Sequence, residues 1–267
     1  MKLCICQLSP ELGNKEENLK KMIKAMNEKK AELYIFPELF LTGYSCNQKI
    51  FSLSEKLPSN ATLEIERYSK KKKCSIIFGL PEKDMKGIIY NTAVFVSQDC
   101  LQKYRKWYLP QFGPFDEKRY FKEGDELNLI STKYGKIGIL ICYDIFFPEL
   151  AKIYALNGAD ILVCISAAPS YSRRPFEKII PARAIENALF IAYANLVGNV
   201  ENLEFFGGSC IVGPKGELKA KAQYYKEELL ECDININEID IARRNRPTIR
   251  DTRYEAFEIM RMMMKKL

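Results

Sequence analysis

Histidine is absent from this chain of 267 residues, and its absence removes several classes of enzyme at once. Ser-His-Asp and Cys-His hydrolases depend on an imidazole base, and catalytic zinc sites nearly always use histidine ligands. The acid–base chemistry that remains falls to Glu, Asp, Lys, Tyr and Cys side chains. A reactive thiol in this protein therefore needs a carboxylate base or a neighbouring cation in place of an imidazole.

Long apolar runs are also missing. Uninterrupted apolar stretches such as 161–165 and 190–194 fall far short of the roughly 20 residues that span a bilayer. The N-terminal segment MKLCICQLSP lacks the apolar region and cleavage site of a signal peptide. We therefore expect a cytoplasmic protein that neither crosses nor binds a membrane.

Motifs for metals and nucleotides are missing as well. The nine cysteines show no C-x-x-C spacing, and their number and irregular spacing do not fit a disulfide framework in a chain of this size. Neither G-x-x-x-x-G-K-[ST] nor G-x-G-x-x-G stands at a strand–helix junction. We expect several cysteines to be small core residues, and we expect no metal and no cofactor.

The net charge is +7, but the lysines and arginines are spread along the chain and do not concentrate in one basic segment. The densest basic run, 70–73, closes a helix that is predicted to begin near Thr62, where lysines complement the helix dipole. No nucleic-acid-binding motif accompanies the run. We expect a solvated helix end rather than a nucleic-acid partner.

Helical and strand-like segments alternate along the whole chain, without a linker or a repeat. Strands are predicted over 2–8, 32–36, 74–82, 91–97, 100–110, 135–144, 159–166, 190–198, 207–213 and 228–234. Helices are predicted over 13–30, 62–73, 148–158, 175–188 and 236–245, the last as a short final helix. The alternation indicates one α/β domain over 1–267, and it fits a Rossmann sheet, a barrel or a two-sheet sandwich equally.

Three residues at predicted strand ends could carry thiol chemistry. Cys142 ends an apolar run in KIGILICYDIFFPEL, Glu38 lies between LYIF and LFLTGY, and Lys106 lies among aromatic residues in YRKWYLP. A carboxylate among apolar groups can serve as a base, and a lysine can stabilise a thiolate and an oxyanion. Taken singly, Cys142 is better explained as a core thiol, Glu38 as a loop carboxylate and Lys106 as a surface cation.

Together these stretches resemble the nitrilase, or carbon-nitrogen hydrolase, superfamily. FPELFLTGY, YRKWYLP and GILICYDIFFPE occur in the order and spacing of that family, and YNTAVFV and FGGSCIVGPKGEL extend the resemblance over nearly the whole chain. The resemblance implies a catalytic triad of Glu38, Lys106 and Cys142. It also implies a second glutamate, Glu117, in the F-D-E segment, and a four-layer αββα sandwich.

The resemblance further implies hydrolysis of a small linear amide or carbamoyl compound through a Cys142 thioester, with release of ammonia. Glu38 would take the thiol proton, while Lys106 and the backbone N–H of Tyr143 would hold the oxyanion. A nitrilase that converts a nitrile to an acid is the alternative within the family. The alternative of another class is a catalytically silent binding protein on the same fold.

Five residues are expected to contact the substrate: Tyr44, Tyr143, Ala167, Arg173 and Arg174. The two arginines follow ISAAPSYS, after the strand that succeeds the nucleophile's helix, and could hold a substrate carboxylate. They could equally be solvated residues that lead into a helix. Tyr44 lies in FPELFLTGY and Ala167 lies in ISAAPS, next to the predicted strand ends.

Some positions depart from the family pattern. Phe146 stands where many amidases of the family have an arginine, and ISAAPS with LPQFGPFDEKRYF resembles the glutaminase portion of glutamine-dependent NAD synthetases. These 267 residues include no stretch that resembles the ATP-using synthetase portion, and we expect a free-standing amidase. The methionine-rich segment 245–267 is expected at the interface of a homodimer or larger homo-oligomer. An amphipathic end helix and a membrane-surface helix are the other interpretations.

Overall fold

The computed structural model describes residues 1–98 and 100–266 of the chain. Its α-helices are α1 (Lys15–Glu28), α2 (Ile50–Leu53), α3 (Asn60–Lys72), α4 (Pro148–Leu156), α5 (Arg173–Asn187), α6 (Asn237–Asn245) and α7 (Tyr254–Met264). Its strands are β1 (Lys2–Gln7), β2 (Leu33–Ile35), β3 (Ser75–Lys83), β4 (Ile89–Ser97), β5 (Cys100–Arg105), β6 (Ile130–Thr132), β7 (Gly135–Ile141), β8 (Ile161–Ser166), β9 (Phe190–Asn195), β10 (Val197–Val200), β11 (Leu203–Phe206), β12 (Cys210–Val212), β13 (Leu218–Lys221) and β14 (Glu228–Asp233).

Two six-stranded sheets form the centre of the fold. The first has the order β14-β1-β2-β3-β4-β5 and the second the order β13-β12-β9-β8-β7-β6, while β10 and β11 form a separate hairpin. In each sheet three central strands are parallel, β1-β2-β3 and β7-β8-β9, and the flanking strands are antiparallel. The carboxyl ends of parallel strands meet at one edge of a sheet, where α/β proteins place their sites.

The hydrophobic core has two main parts, which define four layers. One part joins the facing sides of both sheets to the inner sides of α4 and α5, and includes Leu3, Ile139 and Tyr154. The other lies between the first sheet and helices α1 and α3, and includes Met22 and Ile65. The order of layers is therefore helix, sheet, sheet, helix, and the α/β prediction is confirmed.

Local signals in the sequence explain where several helices begin and end. The side chain of Asn14 caps α1 by accepting a hydrogen bond from the backbone N–H of Glu17. Ser59 and Thr62 form a reciprocal capping box at α3, and Lys73 ends that helix in the left-handed conformation. Pro148 opens α4 at its first turn, where a missing N–H costs nothing.

The C-terminal third differs from the sequence prediction in three places. The strand predicted over 190–198 breaks at Leu196, because the chain bends there into the β10–β11 hairpin. The turn 214–216 leads into β13, which pairs with β12, before β14 begins. Helix α6 is not the final helix, since α7 follows it.

No described helix has the length and apolar character that crossing a membrane requires.

Candidate active site

Cys142 stands at the carboxyl end of β7 in a strained backbone conformation. Its φ is +48°, in the left-handed region that non-glycine residues rarely adopt, and it opens the 3-10 turn Cys142–Phe146. The side chain is 7% exposed. Strain of this kind persists only where surrounding contacts impose it, and it is typical of functional residues.

Asp144 supplies those contacts from within the same turn. One carboxylate oxygen accepts the hydroxyl of Tyr104 at 2.7 Å and the N–H of Ile141 at 3.1 Å, and the other accepts the N–H of Tyr108 at 2.9 Å. Burial raises the pKa of Asp144 to about 6, and these hydrogen bonds and Lys106 oppose the rise. The sequence analysis gave Asp144 no role, although the I-C-Y-D motif contains it.

Lys106 joins the two candidate glutamates. Its Nζ lies 2.8 Å from Oε1 of Glu38 and 2.8 Å from Oε1 of Glu117, and its side chain is 0% exposed. Burial acts to lower the pKa of Lys106, but the charges of Glu117 and then Glu38 outweigh burial and raise this pKa above its usual range. The two carboxylates therefore favour the protonated, charged form of the lysine at the centre of the site.

Glu38 is held by three donors. Its Oε1 accepts Lys106 and the side-chain amide of Asn91 at 2.7 Å, and its Oε2 accepts the N–H of Ala167 at 2.8 Å. The backbone of Glu38 and Leu39 fits against β3 only because the facing residue is Gly79, which has no side chain. A Cβ atom at Gly79 would lie 2.2 Å from the backbone nitrogen of Leu39. The base candidate is thus fixed from both sheets.

Two asparagines that the sequence analysis missed complete this support. Asn91 contacts Glu38 through its side chain, and its carbonyl oxygen accepts the N–H of Lys106 at 2.9 Å. Asn195 accepts the N–H of Ala168 at 2.8 Å and donates to the carbonyl oxygen of the same residue at 3.2 Å. The YNTAVFV segment, already noted for the resemblance, was the available signal for Asn91, and Asn195 lies within the strand predicted over 190–198.

Glu117 lies in a 3-10 turn, buried against the other side of Lys106. Its Oε1 also accepts the hydroxyl of Tyr44 at 2.6 Å, while its Oε2 has no hydrogen-bond partner among the described residues. Burial raises the pKa of Glu117 to about 7; Glu38 adds to the rise, and Lys106 and Tyr44 oppose it. This carboxyl group can therefore change charge near neutral pH.

The thiol of Cys142 is close enough to these groups to respond to their charge. Burial raises its pKa above the usual range, the carboxylate of Glu38 adds to the rise, and Lys106 opposes it. Burial and Glu38 therefore favour the neutral thiol over the thiolate. A thiol nucleophile needs a base that removes its proton as the sulfur attacks, and in a chain without histidine the nearby carboxylate of Glu38 is the candidate.

The structure brings some of the predicted substrate-contacting residues to this site. Tyr44 and Ala167 contact the two glutamates, and Tyr143 directly follows the nucleophile. Arg173 instead lies 5.0 Å from the ring centre of Tyr224. Arg174, next to it on α5, is exposed. Substrate binding by these five residues stays a prediction.

The carbon-nitrogen hydrolase family model matches residues 2–244. The chain belongs to the carbon-nitrogen hydrolase family. A probable nitrilase of Schizosaccharomyces pombe is 33% identical over 252 residues, which cover 90% of each chain. An omega-amidase, NIT2 of Bos taurus, is 30% identical over 263 residues, 92% of each chain. A glutamine-dependent NAD(+) synthetase of Thermotoga maritima is 32% identical over 89% of this chain but only 42% of its own length.

The fold of a solved family member agrees with this one. A carbon-nitrogen hydrolase from Helicobacter pylori superposes with a TM-score of 0.89 at 29% identity, over 97% of this chain and 98% of the other. The αββα sandwich that the sequence resemblance implied is confirmed. The similarity to the glutaminase-bearing synthetases is confirmed as well.

Proposed function

We propose that this carbon-nitrogen hydrolase cleaves a non-peptide C–N bond of a small linear amide or carbamoyl compound and releases ammonia through a thioester on Cys142. The observation that carries the proposal is a buried series of charges, in which Lys106 makes ion pairs of 2.8 Å with both Glu38 and Glu117. The proposed nucleophile, Cys142, lies in a strained turn of the same site. A buried cation between two carboxylates is costly to form, and such arrangements mark functional sites.

In the acylation step, Glu38 takes the thiol proton while the sulfur of Cys142 bonds to the carbonyl carbon. The carbonyl oxygen gains negative charge, which Lys106 and the backbone N–H of Tyr143 stabilise. The C–N bond then breaks, the nitrogen receives the proton from Glu38, and ammonia leaves. A thioester between the acyl group and Cys142 remains.

In the deacylation step, a water molecule gives a proton to Glu38 and its oxygen attacks the thioester carbon. The C–S bond breaks, the carboxylic acid leaves, and the sulfur recovers the proton from Glu38. Lys106 again faces the oxyanion. Three donors hold Glu38 in the free protein, so the base keeps one position through both steps.

Glu117 acts through Lys106 in this proposal. When it is ionised, its 2.8 Å contact keeps Lys106 charged and fixed at the oxyanion position, and Tyr44 favours the ionised form by donating to the same oxygen. Its unpartnered Oε2 is an acceptor for a substrate N–H. Activity should therefore require the ionised form of Glu117.

Incubation with an amide substrate, with ammonia release and intact-protein mass measured together, tests the proposal. We expect ammonia and a transient mass increase equal to the acyl group, with both lost in Cys142→Ala. Glu38→Gln should lose the same activity, because a general base contributes about 10²- to 10⁴-fold. Glu38→Gln retaining more than about a tenth of kcat would remove Glu38 from the role of base.

A nitrilase activity is the second candidate, favoured by the similarity to the probable nitrilase of S. pombe. Ammonia release from an amide and from the nitrile with the same carbon skeleton separates the two activities. The catalytically silent alternative predicts no covalent adduct of Cys142 with any reactive electrophile. The mass measurement decides that point directly.

We further propose that residues 1–267 act as one hydrolase domain in a cytoplasmic homodimer or larger homo-oligomer, with 245–267 at its interface. Helix α7 supports the interface, because Ile259, Met260 and Met263 on it are each about half exposed or more. All nine cysteines are free thiols, which suits a reducing compartment.

A further inference from the structure

An unbroken series of aromatic rings runs from the base side of the site to the nucleophile side. The ring of Phe115 lies 6.3 Å from Tyr44 and 5.6 Å from Phe112, in edge-to-face contacts. The ring of Phe112 lies 5.2 Å from Tyr143, the residue after Cys142. We call these four rings and Tyr171 the aromatic rim.

Tyr171 extends the aromatic rim beyond Phe115. Its ring lies 6.4 Å from that of Phe115, in the 3-10 turn that follows β8. Burial, and then the charge of Cys142 in its thiolate form, raise the pKa of Tyr171. The rim therefore connects both sides of the site. Tyr44 is hydrogen-bonded to Glu117 on one side, and Tyr143 directly follows Cys142 on the other.

The outer rings of the rim are open to solvent. Phe112 is 50% exposed and Tyr171 is 60% exposed, whereas Phe115 beneath them is buried. A large exposed apolar surface around a catalytic group is unfavourable unless something covers it. The group that arrives at the thiol is the substrate itself.

Two arginines close in sequence to rim residues already have partners. Arg173 lies over the ring of Tyr224, whose hydroxyl contacts Glu177. Arg119 lies 3.6 Å from Asp116 and also faces a tyrosine ring. A substrate carboxylate that bound to either of these two arginines would have to displace one of these contacts, whereas an apolar or aryl group meets the faces and edges of rings that are already exposed.

We propose that the substrate's acyl group carries an apolar or aryl body that packs on the aromatic rim, in preference to a terminal carboxylate. Phe112 and Tyr171 are then specificity-determining residues. The inference rests on the proposed function, since it names the substrate class of the same site. It replaces the carboxylate clamp that Arg173 and Arg174 suggested from the sequence.

A matched set of three amides tests the inference. 3-Phenylpropionamide and succinamate carry a phenyl ring and a carboxylate, respectively, on the terminal carbon of the same three-carbon acyl chain, and propionamide carries neither. We expect kcat/KM to be about tenfold or more higher for phenylpropionamide than for either other amide, the scale of one or two ring contacts. The corresponding nitriles are measured in parallel.

Variants then assign the preference to the rim. Phe112→Ala and Tyr171→Ala should each lower kcat/KM for phenylpropionamide about 3- to 10-fold through KM, and should lower kcat/KM for propionamide by a clearly smaller factor. Phe51→Ala is the matched control, because Phe51 is also 50% exposed and its ring contacts Tyr120 outside the rim. This control should change neither substrate.

The outcomes separate this inference from the function on which it rests. A preference for succinamate that is lost in Arg173→Ala or Arg174→Ala would overturn the aromatic rim and restore the carboxylate clamp, while the hydrolase proposal stands. Rim variants that affect propionamide as much as phenylpropionamide would also overturn it. If no amide or nitrile releases ammonia, the proposed function fails and the inference fails with it.

Discussion

Replacing Tyr44 by Phe keeps the aromatic ring and removes the hydroxyl group that contacts Glu117. That hydroxyl donates to Oε1 of Glu117 at 2.6 Å, the same oxygen that contacts Lys106. The hydrogen bond stabilises the ionised carboxylate and so lowers the pKa of Glu117, which burial has raised to about 7. In Tyr44→Phe this pKa should therefore move further up.

The magnitude follows from the type of hydrogen bond. A hydrogen bond to a charged group contributes about 1.5–3 kcal/mol, and one pH unit corresponds to about 1.4 kcal/mol, so the pKa of Glu117 should rise by about one to two pH units. At pH 7 the ionised fraction then falls from about one half to between about 1 in 11 and 1 in 100. If the ionised form is the active one, kcat/KM falls about 5- to 50-fold.

The assay is the pH dependence of kcat/KM for ammonia release, measured from about pH 5 to pH 9.5. The acid limb of the wild-type profile should lie near pH 7, the pKa of Glu117. In Tyr44→Phe the same limb should lie one to two pH units higher, by the magnitude just given. Activity should recover in part at high pH, because the carboxylate ionises there without its hydrogen bond.

A matched control comes from a second tyrosine–glutamate pair. The hydroxyl of Tyr134 donates to Glu32 at 2.7 Å, in the turn between β6 and β7. Tyr134→Phe removes a hydrogen bond of the same kind and should leave the acid limb unchanged. A profile for Tyr44→Phe that falls equally at every pH, without a displaced limb, would refute the assigned role of Glu117.

Three further predictions concern pH, backbone packing and assembly. Folding raises the pKa of Glu117 from 4.5 to about 7, so its protonated form stabilises the folded protein fully below about pH 4.5 and this stabilisation is lost as the pH rises through 7. Glu117→Gln should therefore reduce the fall in Tm between pH 5 and pH 8. Gly79→Ala should lower both Tm and kcat, because its Cβ would displace the Glu38–Leu39 backbone, and unchanged kinetics would contradict that contact. Light scattering should give a mass above that of one 30.9 kDa chain, and removal of 254–267 should lower it; a monomer at micromolar concentration contradicts the proposed interface.

Several partners of the site could not be found from the sequence, because they meet only in the folded chain. The amide of Asn91 reaches Glu38 across 53 residues, the hydroxyl of Tyr44 reaches Glu117 across 73, and the N–H of Ala167 reaches Glu38 across 129. A pattern of neighbouring residues cannot predict contacts between residues so far apart in the sequence. They follow from which strands are neighbours in each sheet and from how the two sheets face each other.

The C-terminal elements were predicted less well than the buried strands. β7 and β8 were visible as continuous apolar runs, since strands covered on both faces contain few polar residues. β13 and the β10–β11 hairpin are short and partly exposed, so their residues show no comparable run. Their pairing depends on the strands beside them.

The sequence by itself limited the chemistry that this protein can use and named the residues predicted to carry it. Without histidine, a thiol enzyme needs a carboxylate or a cation, and the resemblance of three motifs to the carbon-nitrogen hydrolases predicted Glu38, Lys106 and Cys142 for these roles. Only the tertiary structure decided how these side chains are charged. A pKa depends on burial and on the charges within a few ångströms, and those are properties of packing, because the groups concerned are distant along the chain.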